Sequence, residues 1–150
     1  MIWNDKSLRK EIGLSNTKIE TDSYIIAQLL EHRDAITSEN ISKVMELLEG
    51  SFSVSILDSA ENLYLIKGCN PLSVINFRDE GILVYVSTES ILWRALIETS
   101  LFPRLLRGKL ETLDVIDLEE GDILKVSKNG EISKHSFNFT ATTASWDVAT

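Results

Sequence analysis

The chain has 150 residues, of which 43% are hydrophobic, and its formal net charge is −8. This length suits one domain with a closed core, and without clustered Lys and Arg no nucleic-acid partner is expected. No apolar run approaches the ~20 residues of a membrane span and the first residues lack a signal-peptide pattern, so no membrane partner is expected and a cytoplasmic location is predicted.

Three helices are predicted in the first fifty residues, and the last two are amphipathic. The first runs from Asn4 to Ile12, with Asn4 or Asp5 as the capping residue. The second begins at Thr21, whose hydroxyl can cap it and which places Asp22 near the positive end of the helix dipole, and the third is capped by Ser38 and ends at Gly50. Apolar residues recur at three- and four-residue steps in the last two helices: Ile25, Ile26, Leu29, Leu30, Ile41, Val44, Met45 and Leu48. These helices are predicted to form one layer over a core.

The period then changes to the two-residue alternation of strands. The predicted strands cover residues 51–56, 63–67, 72–77 and 82–86. Clusters of Gly, Pro, Asn and Asp separate them, and such short connections favour an antiparallel meander.

A fourth helix interrupts the strands. Ser87 is predicted to cap it and Pro103 lies beyond its end, and its buried stripe is predicted to be Ile91, Leu92, Ala95 and Leu96. Three more strands follow at residues 113–118, 123–127 and 132–137, with Asn129-Gly130 as the signal of a hairpin. The sequence therefore predicts an α+β domain over residues 1–137 and a Thr/Ser/Ala-rich tail over 138–150.

Cysteine and histidine are too scarce for the sites that usually depend on them. Cys69 is the single cysteine, which excludes a disulfide framework and a cysteine-based zinc site. The two histidines, His32 and His135, are far apart in the sequence and give no ordinary metal shell. The composition therefore predicts neither a metal nor a cofactor.

Short segments of the first hundred residues follow the order found in one known family. The matching segments are residues 2–4, 8–12, 20–26, 67–72 and 86–89. In that family a His-Asn-Gly loop is followed by an Asn, which matches residues 2–4, and by a Leu-Arg-x-x-Leu helix, which matches residues 8–12. Residues 20–26 match a Thr-Asp helix entry. Residues 67–72 match a Gly-x-Pro-Leu turn with one residue more, and residues 86–89 match an Ala-Ser-acid segment. Over about Ile2 to Leu96 the chain resembles the class-II glutamine amidotransferase domain, which is of the N-terminal-nucleophile type.

The resemblance implies a four-layer αββα sandwich, in which two antiparallel sheets stack face to face with helices outside. It implies glutamine amide hydrolysis, in which an N-terminal cysteine attacks the amide with its own α-amine as base and ammonia passes to an acceptor. Met1 stands where the family places the residue after His-Asn-Gly, so the nucleophile, the oxyanion hole and the front strands would lie upstream. The expectation is an N-terminally truncated domain that is inactive as given and carries no catalytic residue.

Asp22 is the one glutamine ligand that carries over, since the resemblance assigns the corresponding acid to the α-ammonium of glutamine. Taken alone, Asp22 also fits a first-turn acid that compensates the helix dipole, and Asn4 fits a helix cap. Cys69 cannot replace the nucleophile, because an internal cysteine has no free α-amine. It is interpreted as a small apolar turn residue.

The resemblance names glutamine as the ligand. Residues 138–150 are too few for a synthase domain, so either a separate ammonia-accepting synthase is a partner or the given sequence is cut at both ends. Missing front strands would leave unpaired edges, which favours a homodimer formed through a sheet. The alternative is a non-catalytic module that keeps the same fold to bind an amino acid or a protein partner.

Overall fold

Helices and strands occupy separate stretches of the chain in the computed structural model, which describes residues 1–15, 17–99 and 113–140. The helices are α1 (Asp5–Ile12), α2 (Tyr24–Glu31), α3 (Ser38–Met45) and α4 (Glu89–Glu98). The strands are β1 (Ser53–Leu57), β2 (Leu63–Lys67), β3 (Ser73–Phe77), β4 (Ile82–Val86), β5 (Leu113–Ile116), β6 (Asp122–Val126) and β7 (Ile132–Ser136). A short 3-10 turn, Arg78–Glu80, joins β3 to β4. The predicted α+β class is confirmed.

The strands form two antiparallel sheets. The first sheet has the order β1-β2-β6-β7 and the second has the order β4-β3-β5. The predicted continuous meander is wrong at one point, because β2 and β3 follow each other in sequence but lie in different sheets. Strand β2 is apolar on both faces, so it is covered above and below. One of its edges pairs with β1 and the other with β6. After Gly68 the chain crosses to the second sheet.

Three apolar layers hold the two sheets and the helices together. The first lies between helices α1–α3 and the first sheet, and it includes Ile25, Ile41, Tyr64, Ile66 and Ile123. The second lies between the sheets and is built on Leu65, Val74, Leu118 and Leu124. The third joins the second sheet to α4 through Ile75, Phe77, Leu92 and Leu96. The order is helix, sheet, sheet, helix, which confirms the predicted αββα sandwich.

Predicted limits of three helices differ from those observed. The N-cap position of α4 is Thr88 rather than Ser87. Helix α2 begins at Tyr24 rather than at Thr21, because residues 21–24 form a turn in which the Tyr24 N–H donates to the Thr21 carbonyl at 3.2 Å. Helix α3 is capped by Thr37, whose side chain accepts from the Asn40 N–H at 3.2 Å, and it ends at Met45 rather than at Gly50. The predicted buried faces of α2 and α3 are confirmed.

Helix α4 buries a narrower stripe than predicted. Leu92 and Leu96 are buried, whereas Ile91 is 53% exposed and Ala95 is exposed as well. In the described part of the chain the helix packs on the second sheet through Leu92 and Leu96, with the partly buried Trp93 beside them. The predicted stop at Pro103 lies outside the described residues.

The last described residues complete the first sheet. The Asn-Gly hairpin is confirmed between β6 and β7, with Gly130 at φ 81° and its N–H donating to the Ser127 carbonyl at 2.8 Å. Phe139 follows β7 and packs edge-on against Phe52, with 5.6 Å between ring centroids. Residues 141–150 lie outside the described part of the chain, and the limit between domain and tail stays a prediction. Among the residues that are described, no helix is long and apolar enough to cross a membrane.

Candidate functional site

The chain-start segment, Met1–Asn4, pairs with the loop that leads from α3 into β1. The Trp3 N–H donates to the Glu49 carbonyl at 2.8 Å, and the Ser51 N–H donates to the Met1 carbonyl at 2.8 Å. Between these two bonds Ile2 and Gly50 form an antiparallel bridge. Gly50 has φ 146°, and a Cβ there would lie 2.3 Å from the Met1 carbonyl oxygen, so this approach of the two backbones requires glycine.

Asn4 fastens the same pairing with its side chain. Its Nδ2 donates to the Leu47 carbonyl at 2.8 Å, and its Oδ1 accepts from the Glu49 N–H at 3.0 Å. Asn4 occupies the N-cap position of α1, as predicted, but its side chain makes no capping bond to that helix. Both ends of the amide are used on the neighbouring loop, where two backbone groups offer a matched acceptor and donor.

Asp22 binds the chain-start segment from the other side. Its carboxylate accepts a hydrogen bond from the Ile2 N–H, which joins two segments twenty residues apart in sequence. That bond is the main reason why the pKa of Asp22 lies below its usual value; partial burial raises the pKa, and the positive charge of the Met1 amine lowers it. Asp22 is therefore an ionised carboxylate held directly beside the first residues.

The first turn of α2 contains no acidic residue, because the helix begins two residues after Asp22. The interpretation of Asp22 as a first-turn acid that compensates the dipole is therefore wrong. Its observed partner is the Ile2 N–H of the chain-start segment, and this contact cannot be read from the sequence motif around Asp22.

A polar cluster, which we call the Asn70 cluster, lies next to the chain-start segment and was not predicted from the sequence. The Ser51 hydroxyl donates to Asn70 Oδ1 at 2.5 Å, and the Ser53 hydroxyl donates to the Asn70 carbonyl at 2.6 Å. Lys67 Nζ donates to the same carbonyl at 2.9 Å. Ser51 also pairs with Met1 through its backbone, so the cluster and the chain-start segment are continuous. The sequence feature that could have predicted this cluster is the presence of polar residues where β1 begins and β2 ends: Ser51, Ser53 and Lys67.

Cys69 and the two histidines lie in separate places. Cys69 is partly buried and its Sγ lies 3.9 Å from the Gly50 carbonyl. The His32 ring bonds the Gln28 carbonyl of its own helix at 2.7 Å, and the His135 ring lies 3.5 Å from the Ser133 hydroxyl on β7. Neither contact involves Cys69. Within the described residues, no three side chains of the metal-binding types come together as a site for an ion.

Two open grooves lie elsewhere on the molecule. One, of about 770 Å³, runs between α3 and the β6–β7 hairpin and is lined by Ser42, Lys125 and His135. The other, of about 470 Å³, lies between α1 and residues 14–15 and 17–20. Neither groove is lined by Asp22, so the chemistry of the chain-start segment is separate from both.

Among solved structures, the chain is similar to the glutamine phosphoribosylpyrophosphate (PRPP) amidotransferase of B. subtilis, which was solved in complex with ADP and GMP, with a TM-score of 0.63. The two sequences are 17% identical, and the match covers 92% of this chain and 28% of that one. No protein-family model and no curated protein matches the sequence. The likeness shows a common fold. This chain spans less than a third of the length of that protein.

Proposed function

We propose that the chain is part of a class-II glutamine amidotransferase domain and that Asp22 binds the α-ammonium group of glutamine. The observation that carries this proposal is the ionised Asp22 carboxylate held beside the chain-start segment, in a fold shared with a glutamine-using amidotransferase. A carboxylate has about four lone-pair sites, so the Ile2 bond leaves capacity for an ammonium group. Its lowered pKa keeps the negative charge that such a ligand needs.

The 150 residues are proposed to bind glutamine without hydrolysing it. Cys69 is the one cysteine in the sequence, and its amine is part of a peptide bond, so it cannot act as the base for its own thiol. The sequence contains no His-Asn-Gly motif to supply oxyanion-hole donors. Ammonia release and its transfer to an acceptor would therefore depend on groups that are not among these residues.

Binding of glutamine to the 150-residue chain, measured by calorimetry or by amide chemical shifts in NMR, tests the proposal. We expect glutamine to bind and to shift the amide signal of Ile2, since that amide shares the carboxylate. Asp22→Asn should weaken binding about tenfold or more, as expected for loss of a charged hydrogen bond. Asp34→Asn, an exposed acid in the turn after α2, should bind as the wild type does.

A ligand-side control separates binding from folding. Glutaramate, which is glutamine without its α-amino group, should bind the wild-type chain no better than Asp22→Asn binds glutamine. Equal affinity of the wild type for glutamine and glutaramate would contradict the assignment of Asp22. Ammonia release that Cys69→Ala abolishes would contradict the proposal that the chain does not hydrolyse glutamine.

A further inference from the structure

The groove between α3 and the β6–β7 hairpin, which we call the hairpin groove, has the size of a small-molecule pocket. Its volume is about 770 Å³, and its lining residues all belong to the described ranges of the chain. Asp22 does not line it. A ligand bound here would therefore be separate from the proposed glutamine site.

One wall of the hairpin groove is the helix-facing side of β6 and β7. Side chains of alternate strand residues point to the same face. Ile123 lies in the apolar layer between the helices and the first sheet, so Lys125, two residues later, faces the helices as well. Ser133 is the cross-strand neighbour of Lys125, and His135 is that of Ile123. This face is thus apolar under the helices and carries hydrogen-bonding side chains towards β7.

The other wall is α3, which runs beside β7 in the same direction. The Ser42 hydroxyl donates to the Ser136 carbonyl at 3.3 Å, and the Glu46 carboxylate accepts from the Asn138 N–H at 3.0 Å. Four helical residues rise about 6 Å, which is also the length of about two strand residues. Ser38, four residues before Ser42, therefore lies level with the first half of β7.

Ser38 has a hydroxyl that the fold does not use. The residue is 8% exposed and lines the hairpin groove. Within the described part of the chain the hydroxyl has no hydrogen-bond partner, and it is not sealed inside the core. The helix does not need it, because the Thr37 side chain is the N-cap. A mostly buried donor without a partner is available to an acceptor that enters the groove.

The first turn of α3 adds backbone donors at the same place. The N–H groups of Ser38 and Glu39 come too early in the helix to have an intrahelical acceptor. The next one, the Asn40 N–H, is already taken by the Thr37 side chain. The positive end of the helix dipole also lies here, which favours a negatively charged ligand.

Lys125 brings a positive charge that no described carboxylate neutralises. Its Nζ lies 5.7 Å from the centroid of the Tyr64 ring, and the ion pairs among the described residues involve other cations. Both acids that line the groove have partners: Glu39 pairs with Lys43 at 2.6 Å, and Glu46 accepts a backbone N–H. Since the formal net charge of the chain is −8, attraction of an anion must come from these local groups.

We propose that the hairpin groove binds a small phosphate monoester, with the phosphate group at the start of α3. Lys125 from β6, Ser133 from β7 and the hydroxyl and N–H of Ser38 from α3 supply donors from three elements. These donors suit the three terminal oxygens of a phosphate ester, whereas a carboxylate has only two. The rest of the ligand lies along the groove towards His135 and Ser42, for which the volume leaves room.

Calorimetric titration of the 150-residue chain with phenyl phosphate tests this site. We expect saturable binding of one molecule per chain, and weaker binding of benzoate, which carries a carboxylate on the same ring. Lys125→Met should weaken binding of phenyl phosphate about tenfold or more, as expected for loss of a charged donor. Lys128→Met, an exposed lysine in the turn of the same hairpin that does not line the groove, should bind as the wild type does.

The serine at the start of α3 gives an independent answer. Ser38→Ala should weaken binding about threefold or more, because it removes a neutral donor, whereas the exposed Ser59→Ala should have no effect. In NMR spectra, phenyl phosphate should shift the amide signals of Ser38 and Glu39. Circular dichroism establishes that each variant is folded.

Glutamine binding separates this proposal from the function proposed above. Lys125→Met should bind glutamine as the wild type does, because Asp22 lies outside the groove. A wild-type chain that does not bind phenyl phosphate would overturn the phosphate site. So would equal affinity for phenyl phosphate and benzoate, or an affinity that Lys125→Met leaves unchanged.

Discussion

Asp22 illustrates how much of a site is decided by a contact that sequence spacing does not encode. The family resemblance selected this residue, and its chemical type was evident from the sequence. Its partner was not, because Ile2 lies twenty residues earlier and reaches Asp22 only after the chain-start segment pairs with residues 49–51. The same holds for Asn4, whose side chain serves a loop far along the chain rather than the helix that follows it.

The bond between Asp22 and Ile2 should make stability depend on pH in acid. Because the folded state lowers the pKa of Asp22, the stabilisation is complete above the unfolded value of about 3.9 and is lost as the pH falls through the folded value. Asp22→Asn should lower stability near neutral pH and flatten its fall below about pH 4. Urea unfolding from neutral pH down through that range measures both effects.

Asp34→Asn is the matched control for this experiment, and it should keep the wild-type pH profile. If the free energy of unfolding of Asp22→Asn differed from that of the wild type by the same amount at every pH, the Ile2 bond would contribute no pH-dependent stability.

At the level of elements, the hydrophobic periodicity and the turn residues predicted most helices and strands correctly, but they predicted the ends of the helices less well. Strands β2 and β4 have the predicted limits because Asn62 and Gly68 bound β2, and Gly81 and the helix entry at Ser87 bound β4. The start of α2 was misplaced because Thr21 and Ser23 are both acceptable capping residues; in the structure Ser23 takes the N-cap position, without a side-chain capping bond. Sequence alone also could not decide which hydroxyl caps α3, since Thr37 and Ser38 are adjacent.

The two threonines provide a direct comparison of a real cap with a predicted one. Thr37→Ala removes the acceptor for the Asn40 N–H and should destabilise the protein by about 1 kcal/mol, the usual effect of losing an N-cap. Thr21→Ala should change the free energy of unfolding by less than about 0.5 kcal/mol, as for an ordinary surface substitution. Denaturant unfolding of both variants measures the difference, and equal losses would contradict the observed cap.

On the scale of the whole molecule, the layer order could be predicted only through the family resemblance. Patterns showed where the strands lie, but not that β2, with Tyr64, Leu65 and Ile66 all buried, is central in its sheet. They could not show that β6 would be its second neighbour, because that pairing depends on the folding of a distant part of the chain. The division of seven strands into two sheets therefore required the structure.

Leu65 provides a test of the layer between the sheets. Its side chain is fully buried against Leu124 and Val74, so Leu65→Ala should cost about 2–5 kcal/mol. Ile97→Ala removes a similar side chain that is 67% exposed on α4 and should cost less than about 0.5 kcal/mol. Urea midpoints give both values, and a small effect of Leu65→Ala would show that the two sheets are not packed on each other as described.

Gly50 has a consequence for recognising other proteins of this kind. Any larger residue at this position would bring a Cβ against the Met1 carbonyl and separate the two backbones. A distant sequence that keeps glycine between an amphipathic helix and an alternating Ser/Val strand is therefore expected to fold its opening residues in the same way. One that carries alanine there must route them elsewhere, so this single position is a diagnostic for aligning sequences whose overall identity is too low to guide the alignment.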